Sequence, residues 1–413
     1  MRMLPCLVLL SAILFLLVTE TSAQTVINFN PSTEEVLYNF NMQGGSNPQG
    51  GLIFDGSGHL YGTTLAGGSM NCGTVFELTP KANGGSVEQV LFNFKGQNDN
   101  DSCHPIGSLI FDSAGNLYGV TAGLGYGTVF ELTPDGQGGW TEQLLHNFMH
   151  DFHDGENPNG GLIMDAAGNL YGTTAYGGSD ESGTVFELTP QAGGGWTETI
   201  VHQFMGNDGQ NPSGSLVFDA KGNLYGTTIL GGFGAGLGTV FELNPSGNGA
   251  WAEQQLYSFD NSAKDGYYPY ANLIFDGSGN LYGVTKYGGR DDFGTVFELS
   301  RNSNGNWAQR MLHSFNGADG YYPVAGLTLD PAGNLYGTTY QGGAYNTGVV
   351  FELQPTATGG GGWAESVLHS FANDGTDGYH PYAGVIFGGS GILFGTTADG
   401  GTYGYGTVFG LKP

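Results

Sequence analysis

Positive charge is scarce in this 413-residue chain: ten Lys and Arg stand against 37 Asp and Glu, a formal net charge of −27. A surface of that sign repels phosphate backbones and anionic lipid, so neither nucleic-acid binding nor a basic membrane patch is expected. Charged residues of both signs make up only 11%, too few for a long solvated helix or a coiled coil. Helical periodicity is missing, and so is any apolar stretch of ~20 residues beyond the N-terminus, so nothing downstream is expected to span a bilayer. Serine-nucleophile elbows, zinc-protease helices, phosphate loops and dinucleotide fingerprints are missing too. Hydrolase and oxidoreductase chemistry is left without a motif, and no cofactor is expected. Cysteine occurs three times, at Cys6, Cys72 and Cys103.

What the chain does have begins with an N-terminal leader. Arg2 precedes an apolar run from Leu7 to Val18, followed by Thr21-Ser22-Ala23. This reads as a signal peptide over residues 1–23, cleaved after Ala23, and implies a secreted or periplasmic protein with no membrane insertion after cleavage. Cys6 lies before the apolar run, which does not suit a lipoprotein signal. Cleavage leaves Cys72 and Cys103 in an oxidising compartment, where a pair reads as a disulfide, with free thiols as the alternative.

Glycine is abundant, 77 residues, and it falls in a repeat. Gly-Thr-Val-Phe-Glu-Leu starts at Gly73, Gly127, Gly183, Gly238 and Gly294, with variants at Gly348 and Gly406, a spacing of 54–58 residues. Leu-Tyr-Gly recurs from Leu60 to Leu335, with Leu393-Phe394-Gly395 as its seventh copy. Each unit reads as four short strands, A to D, joined by Gly-Asn turns, Gly-Gly loops and Pro stops. A four-stranded unit of this size fits a propeller blade. The last unit lacks strand D, whereas Glu34–Phe40 matches strand D and has no A, B or C before it. If this segment completes the last sheet, the ring closes without an open edge.

The expected fold is therefore an all-β, seven-bladed β-propeller with four antiparallel strands per blade, a single domain over residues 24–413. Its blades fall at 51–94, 107–148, 161–204, 214–259, 271–315, 325–371, and 384–412 plus 33–40. A glycine inside every strand B implies close approach of another backbone. The five tryptophans that open strand D read as packing wedges. His146, His202, His313 and His369 share one strand D position with Tyr38, Phe92 and Tyr257, so they read as structural.

The Leu-Tyr-Gly-Thr-Thr … Gly-Gly … Gly-Thr-Val-Phe-Glu-Leu pattern resembles the GloVer tandem repeat of bacterial extracytoplasmic proteins over residues 34–413. The resemblance implies a secreted or surface-displayed repeat protein and no defined activity. Some members of that family look to carry a C-terminal sorting anchor, which this chain, ending at Pro413, does not show.

Residues shared by all blades serve the fold, so candidate functional residues are those that break the repeat, above all in the D-to-A and B-to-C loops of one face. Tyr267, Tyr268 and Tyr270 enter blade 5, Tyr321 and Tyr322 blade 6, and Tyr379, His380 and Tyr382 blade 7. Tyrosine offers an apolar face with a hydrogen-bonding tip, suited to a glycan or protein ligand, although loop-on-loop packing would use it equally well. The loop into blade 3 carries His150, Asp151, His153, Asp154 and Glu156. His150, His153 and Asp154 are weak metal candidates, and Asp151, Asp154 and Glu156 the candidate acid–base groups, but the spacing matches no metal signature and a solvated loop is expected. The acidic run Asn98–Asp101 lacks the pattern of a calcium loop. Cys72 and Cys103 fall in neighbouring loops of one face, and a bridge between them would contribute about 3–4 kcal/mol. The expectation is a monomeric, non-enzymatic binding protein without metal or cofactor. The alternatives are a carbohydrate lyase or glycosidase and a structural envelope component.

Overall fold

Local turn chemistry builds each blade. In the A–B hairpin of six blades an Asp (Asp55, Asp112, Asp165, Asp219, Asp276, Asp330) accepts two backbone N–H bonds through Oδ1, as Asp112 does from Ala114 and Asn116 at 2.8 and 2.9 Å. A glycine at positive φ completes the turn, for example Gly115 at +88°. In blade 7, where no Asp is available, a 3-10 turn over Gly389–Gly391 takes its place.

The computed structural model describes residues 34–81, 84–96, 103–123, 125–247, 249–356 and 362–413. The expected signal segment and the Asn98–Asp101 run lie outside them. Seven sheets of antiparallel strands form a seven-bladed β-propeller, with no α-helix among the described residues. In blade 1, Ile53–Phe54, Leu60–Thr64, Thr74–Pro80 and Ser86–Asn93 are strands A to D. The outer strand of blade 7 is Glu34–Asn39, which pairs with strand C, Thr407–Leu411, and so closes the ring. Strand A starts earlier than the repeat suggests. In blades 2 and 4 it is continuous over Cys103–Phe111 and Gln210–Phe218, and in blades 3 and 5 a separate piece, Gly155–Pro158 or Gly266–Pro269, pairs with the far end of strand B. The proline in this stretch disguises it as loop, because a missing N–H is tolerated at a sheet edge.

The strand B glycines are crowded by a side chain instead of a backbone. A Cβ on Gly62, Gly119, Gly172, Gly226, Gly283, Gly337 or Gly395 would lie 2.5–2.6 Å from Cζ of the strand C phenylalanine across the pair. That phenylalanine also meets the next joint. Phe40, Phe94, Phe148, Phe204, Phe259, Phe315 and Phe371, each just past strand D, pack edge-on against the strand C phenylalanine of the following blade at 5.0–5.2 Å. Each such pair adds about 0.5–1.5 kcal/mol beyond its buried area. Three of the tryptophans, Trp196, Trp251 and Trp363, pack against a strand B tyrosine of the preceding blade.

A backbone staple repeats at all seven joints. The residue before each proline (Asn47, His104, Asn157, Asn211, Tyr268, Tyr322, His380) holds φ between +53° and +60°. Residues preceding proline favour extended backbone, so this costs strain. The left-handed turn aims each N–H at the carbonyl just before the Gly-Thr-Val-Phe glycine of the neighbouring blade, at 2.7–3.0 Å. The proline ring then lies over that glycine, which has no room for a Cβ.

Candidate functional site

Strand A and the residues leading into it line the axis, where the backbones of neighbouring blades come so close that mostly small residues fit: Gly51, Ser108, Gly161, Ser215, Asn272, Gly326 and Gly384 face a central cavity of about 160 Å³. The position after each staple proline varies from blade to blade, with Tyr in blades 5 and 7, and Gln49, Ile106, Asn159, Ser213, Tyr270, Val324 and Tyr382 ring the mouth of that cavity. Tyr382 donates its hydroxyl to that of Tyr270 at 3.1 Å, bridging blades 7 and 5. Burial pushes the Tyr382 hydroxyl far above its ordinary range, with Tyr270 adding to the effect, so it stays protonated. Beside the mouth lies a second cavity of about 370 Å³, lined by Asn157, Asn159, Asn211, Tyr176, Tyr270 and apolar neighbours, with no charged group among the described residues of its wall.

From this mouth an aromatic tract runs outward over blades 5 to 7. Tyr379 meets His380 at 4.9 Å, His380 stacks on Tyr340 at 4.6 Å, and Tyr340 meets Tyr382 at 6.0 Å. On the other side Tyr267 stacks on Tyr287 at 5.5 Å, Tyr287 meets Tyr322 at 4.9 Å, and Tyr321 packs between Tyr322 and Phe293. Lys286 joins the halves, its ammonium 5.5–5.8 Å from the rings of Tyr270, Tyr287 and Tyr322, a cation–π arrangement. Tyr268 meets both Tyr267 and Tyr287. Two carboxylates anchor the ends: Asp292 accepts from Tyr267 at 2.8 Å, and Asp399 pairs with His380 at 3.0 Å. Burial and then Asp292 push the Tyr267 hydroxyl up to about 12.

The eight aromatics singled out in the sequence therefore gather into one tract, and every one of them is only partly buried. Sequence reasoning missed Lys286 and Tyr287, at the far end of strand B of blade 5 (Leu281–Gly288), and Phe293 and Tyr340, from B-to-C loops. The two-residue slot before each Gly-Gly carried the signal, since Lys286-Tyr287 stands where Leu65-Ala66 stands in blade 1. Exposed large apolar side chains also concentrate on this face, with Phe152, Tyr345, Tyr403 and Phe233, the last 68% exposed, in its loops and Tyr176 at the far end of strand B of blade 3.

The polar loop into blade 3 does not act as one group. Asp154 turns inward: it pairs with His146 at 3.2 Å and accepts the N–H of Met149 and of Gly155. Asp151 Oδ1 caps the loop by accepting from the N–H of His153 and of Asp154, and the His153 ring contacts the Asp151 carbonyl. His150 instead meets buried Glu156 directly, with Glu181 4.0 Å away. Its hydrogen bond to Glu156, then the charge of that carboxylate, holds the His150 imidazole above its ordinary range. His150, Glu156 and Glu181 thus lie close enough to share a metal, whereas Asp154 groups instead with His146 and Glu198, and His153 joins neither set. Cys72 and Cys103 form a disulfide across the joint of blades 1 and 2, with 4.6 Å between Cα atoms, next to the staple from His104 to Cys72.

Fold and repeat together define a β-propeller repeat protein. A profile of the Gloeobacter/Verrucomicrobia repeat matches residues 19–137, 123–332 and 254–413, and the chain belongs to that family. No curated protein matches it in sequence. Among solved structures it is similar to virginiamycin B lyase from Staphylococcus aureus, at 12% identity and a TM-score of 0.55, over 92% of this chain and 98% of that one. It is also similar to the extracellular domain of a putative hybrid two-component system from B. thetaiotaomicron, at 11% identity and a TM-score of 0.55, over 91% of this chain and 39% of that one. PorZ, a surface component of the type-IX secretion system of Porphyromonas gingivalis, matches at 15% identity and a TM-score of 0.53, over 89% of this chain and 46% of that one. Such identities speak for the fold alone. No helix among the described residues is long and apolar enough to cross a membrane.

Proposed function

We propose that this chain is an extracytoplasmic, non-enzymatic propeller whose loop face binds a glycan or a protein, with a neutral glycan the favoured ligand. The carrying observation is the aromatic tract from Tyr379 to Tyr322 beside an uncharged cavity lined by Asn157, Asn211, Tyr176 and Tyr270. Aromatic faces next to amide and phenol hydrogen-bonding groups suit a sugar ring, which offers an apolar C–H face and a rim of hydroxyls. The net charge of −27 selects against acidic polysaccharides. The carboxylates Asp151, Asp154 and Glu156 are engaged within the loop, which favours binding over hydrolysis or elimination.

A glycan array and a polysaccharide-cleavage screen on the protein lacking residues 1–23 test the reading. Binding of neutral glycans that falls at least tenfold in Tyr267→Ala and Tyr322→Ala, in proteins whose circular dichroism is unchanged, is the expected result. Release of reducing sugar or of an unsaturated product would overturn it in favour of an enzyme. Binding to protein baits without glycan binding would assign the tract to a protein partner.

A further inference from the structure

The strand D histidines belong to a pattern that only the ring reveals. Each strand D carries one Glu or Gln at an equivalent position and His, Tyr or Phe four residues later. In three joints the His meets an Asp from its own D-to-A loop and the Glu of the next blade. These groups are His146, Asp154 and Glu198; His313, Asp319 and Glu365; and His369, Asp377 and Glu34. The His Nε2 to Asp separations are 3.2, 3.2 and 3.0 Å, Glu198 lies 3.9 Å from His146, and each set of donor atoms falls within 4.8 Å.

Four of these carboxylate oxygens have no visible purpose. Glu34 Oε1, Glu198 Oε1, Glu365 Oε1 and Asp377 Oδ1 are shielded from solvent and have no hydrogen-bond partner. A shielded, unsatisfied oxygen is costly; Glu88 and Glu253 leave one at the same strand D position, but at these three joints alone an imidazole nitrogen and a second carboxylate oxygen stand within 4.8 Å of it among the described residues. The blade 4–5 joint supplies an internal contrast. There Tyr257 replaces His and Gln309 replaces Glu, and the tyrosine hydroxyl donates directly to Asp265 at 2.8 Å. Nitrogen donor and second carboxylate are both absent there, whereas the joints of Tyr38 and Phe92 lack the nitrogen but keep Glu88 and Glu142.

The geometry points to a divalent metal ion of the zinc class at each of these three joints, held by one imidazole nitrogen and two carboxylate oxygens from two blades. Four-coordinate zinc with bonds of about 2.0–2.2 Å places its ligand atoms roughly 3.3 Å apart, close to the separations already present, and leaves one position for water. The Asp ligands are braced as metal-bound carboxylates usually are: Asp154 accepts from the Met149 and Gly155 N–H, and Asp377 from the Ala372 N–H. At the last joint the ion would tie Glu34, on the N-terminal strand, to blade 6, reinforcing ring closure.

The test uses the chain without residues 1–23, its disulfide intact, in a His150→Gln background so that the loop cluster does not contribute. After equilibration with zinc chloride and removal of excess at pH 7.5, bound zinc is counted by mass spectrometry and Tm measured with zinc or with EDTA. Up to three zinc per chain, with a Tm higher in zinc than in EDTA, is expected. His369→Gln and Glu34→Gln should each remove the same single equivalent, and His313→Gln a different one, in proteins whose circular dichroism is unchanged. Magnesium should not substitute. Absence of bound zinc with identical Tm in zinc and EDTA would overturn the proposal, as would zinc content indifferent to both His369→Gln and His313→Gln.

Discussion

The backbone N–H of Asn47 donates to the carbonyl of Tyr405 at 2.9 Å, joining the first blade to the last with the same bond that His104 makes to Cys72 at 2.8 Å. Pro48 lies over Gly406 as Pro105 lies over Gly73. The closing joint is therefore built like the internal ones, and what holds one joint should hold all seven.

Adding a methyl group at a staple should open it. Gly238 has φ +105°, and a Cβ there would meet the Pro269 ring at 2.6 Å and the Thr228 carbonyl at 2.5 Å. Gly238→Ala is expected to cost about 2–4 kcal/mol by denaturant unfolding. Gly222→Ala, where φ is +87° but the space is open, should cost only about 1 kcal/mol.

The disulfide acts at one joint only. Reducing Cys72–Cys103, which are 31 residues apart, should lower stability by about 2–4 kcal/mol, leaving the circular dichroism of the folded protein unchanged because the blade 1–2 staple and the Phe94–Phe130 contact persist. Loss of the folded spectrum on reduction would assign the bridge a larger role.

Burial pushes the Glu253 carboxyl up to about 6, with Asp208 adding to the rise and His202 opposing it. The folded protein thus holds a proton that the unfolded chain has released between pH ~4.5 and ~6, so this group's contribution to stability is lost as pH rises through that window. Glu253→Gln, which copies what blade 5 already has at Gln309, is expected to raise Tm at pH 7.5 and leave it unchanged at pH 4. An equal effect at both pH values would contradict this assignment.

Tyr382→Phe removes the hydroxyl that bridges to Tyr270 across the cavity mouth. Net loss of one such hydrogen bond should cost about 1 kcal/mol in stability. Tyr270→Phe should cost the same, and the double variant no more than either alone; fully additive losses would show that the two hydroxyls do not act as a pair.

The blades were legible because their signals are local: Asp-x-x-Gly-Asn specifies a hairpin, Pro ends strand C, and the displaced copy of strand D over Glu34–Phe40 reveals closure. The joints were not legible, since each combines residues from two blades. A left-handed Tyr268 before proline contradicts local preference and makes sense only once the Leu237 carbonyl stands in front of it. Likewise Glu198 reads as an ordinary exposed strand residue until blade 2 places His146 and Asp154 against it. The tyrosines of blades 5 to 7 stood out as departures from the repeat, whereas Tyr287 and Tyr340 did not, because the two residues before each Gly-Gly follow no common pattern.

Ring closure can be measured directly by pairing cysteines at Glu35 and Gly410, which face each other across the closing strands. Mild oxidation of Glu35→Cys/Gly410→Cys, with Cys72–Cys103 intact, should give a near-quantitative intramolecular disulfide and a higher Tm. Failure to cross-link, or cross-linking only between molecules, would contradict a propeller closed by its N-terminal strand.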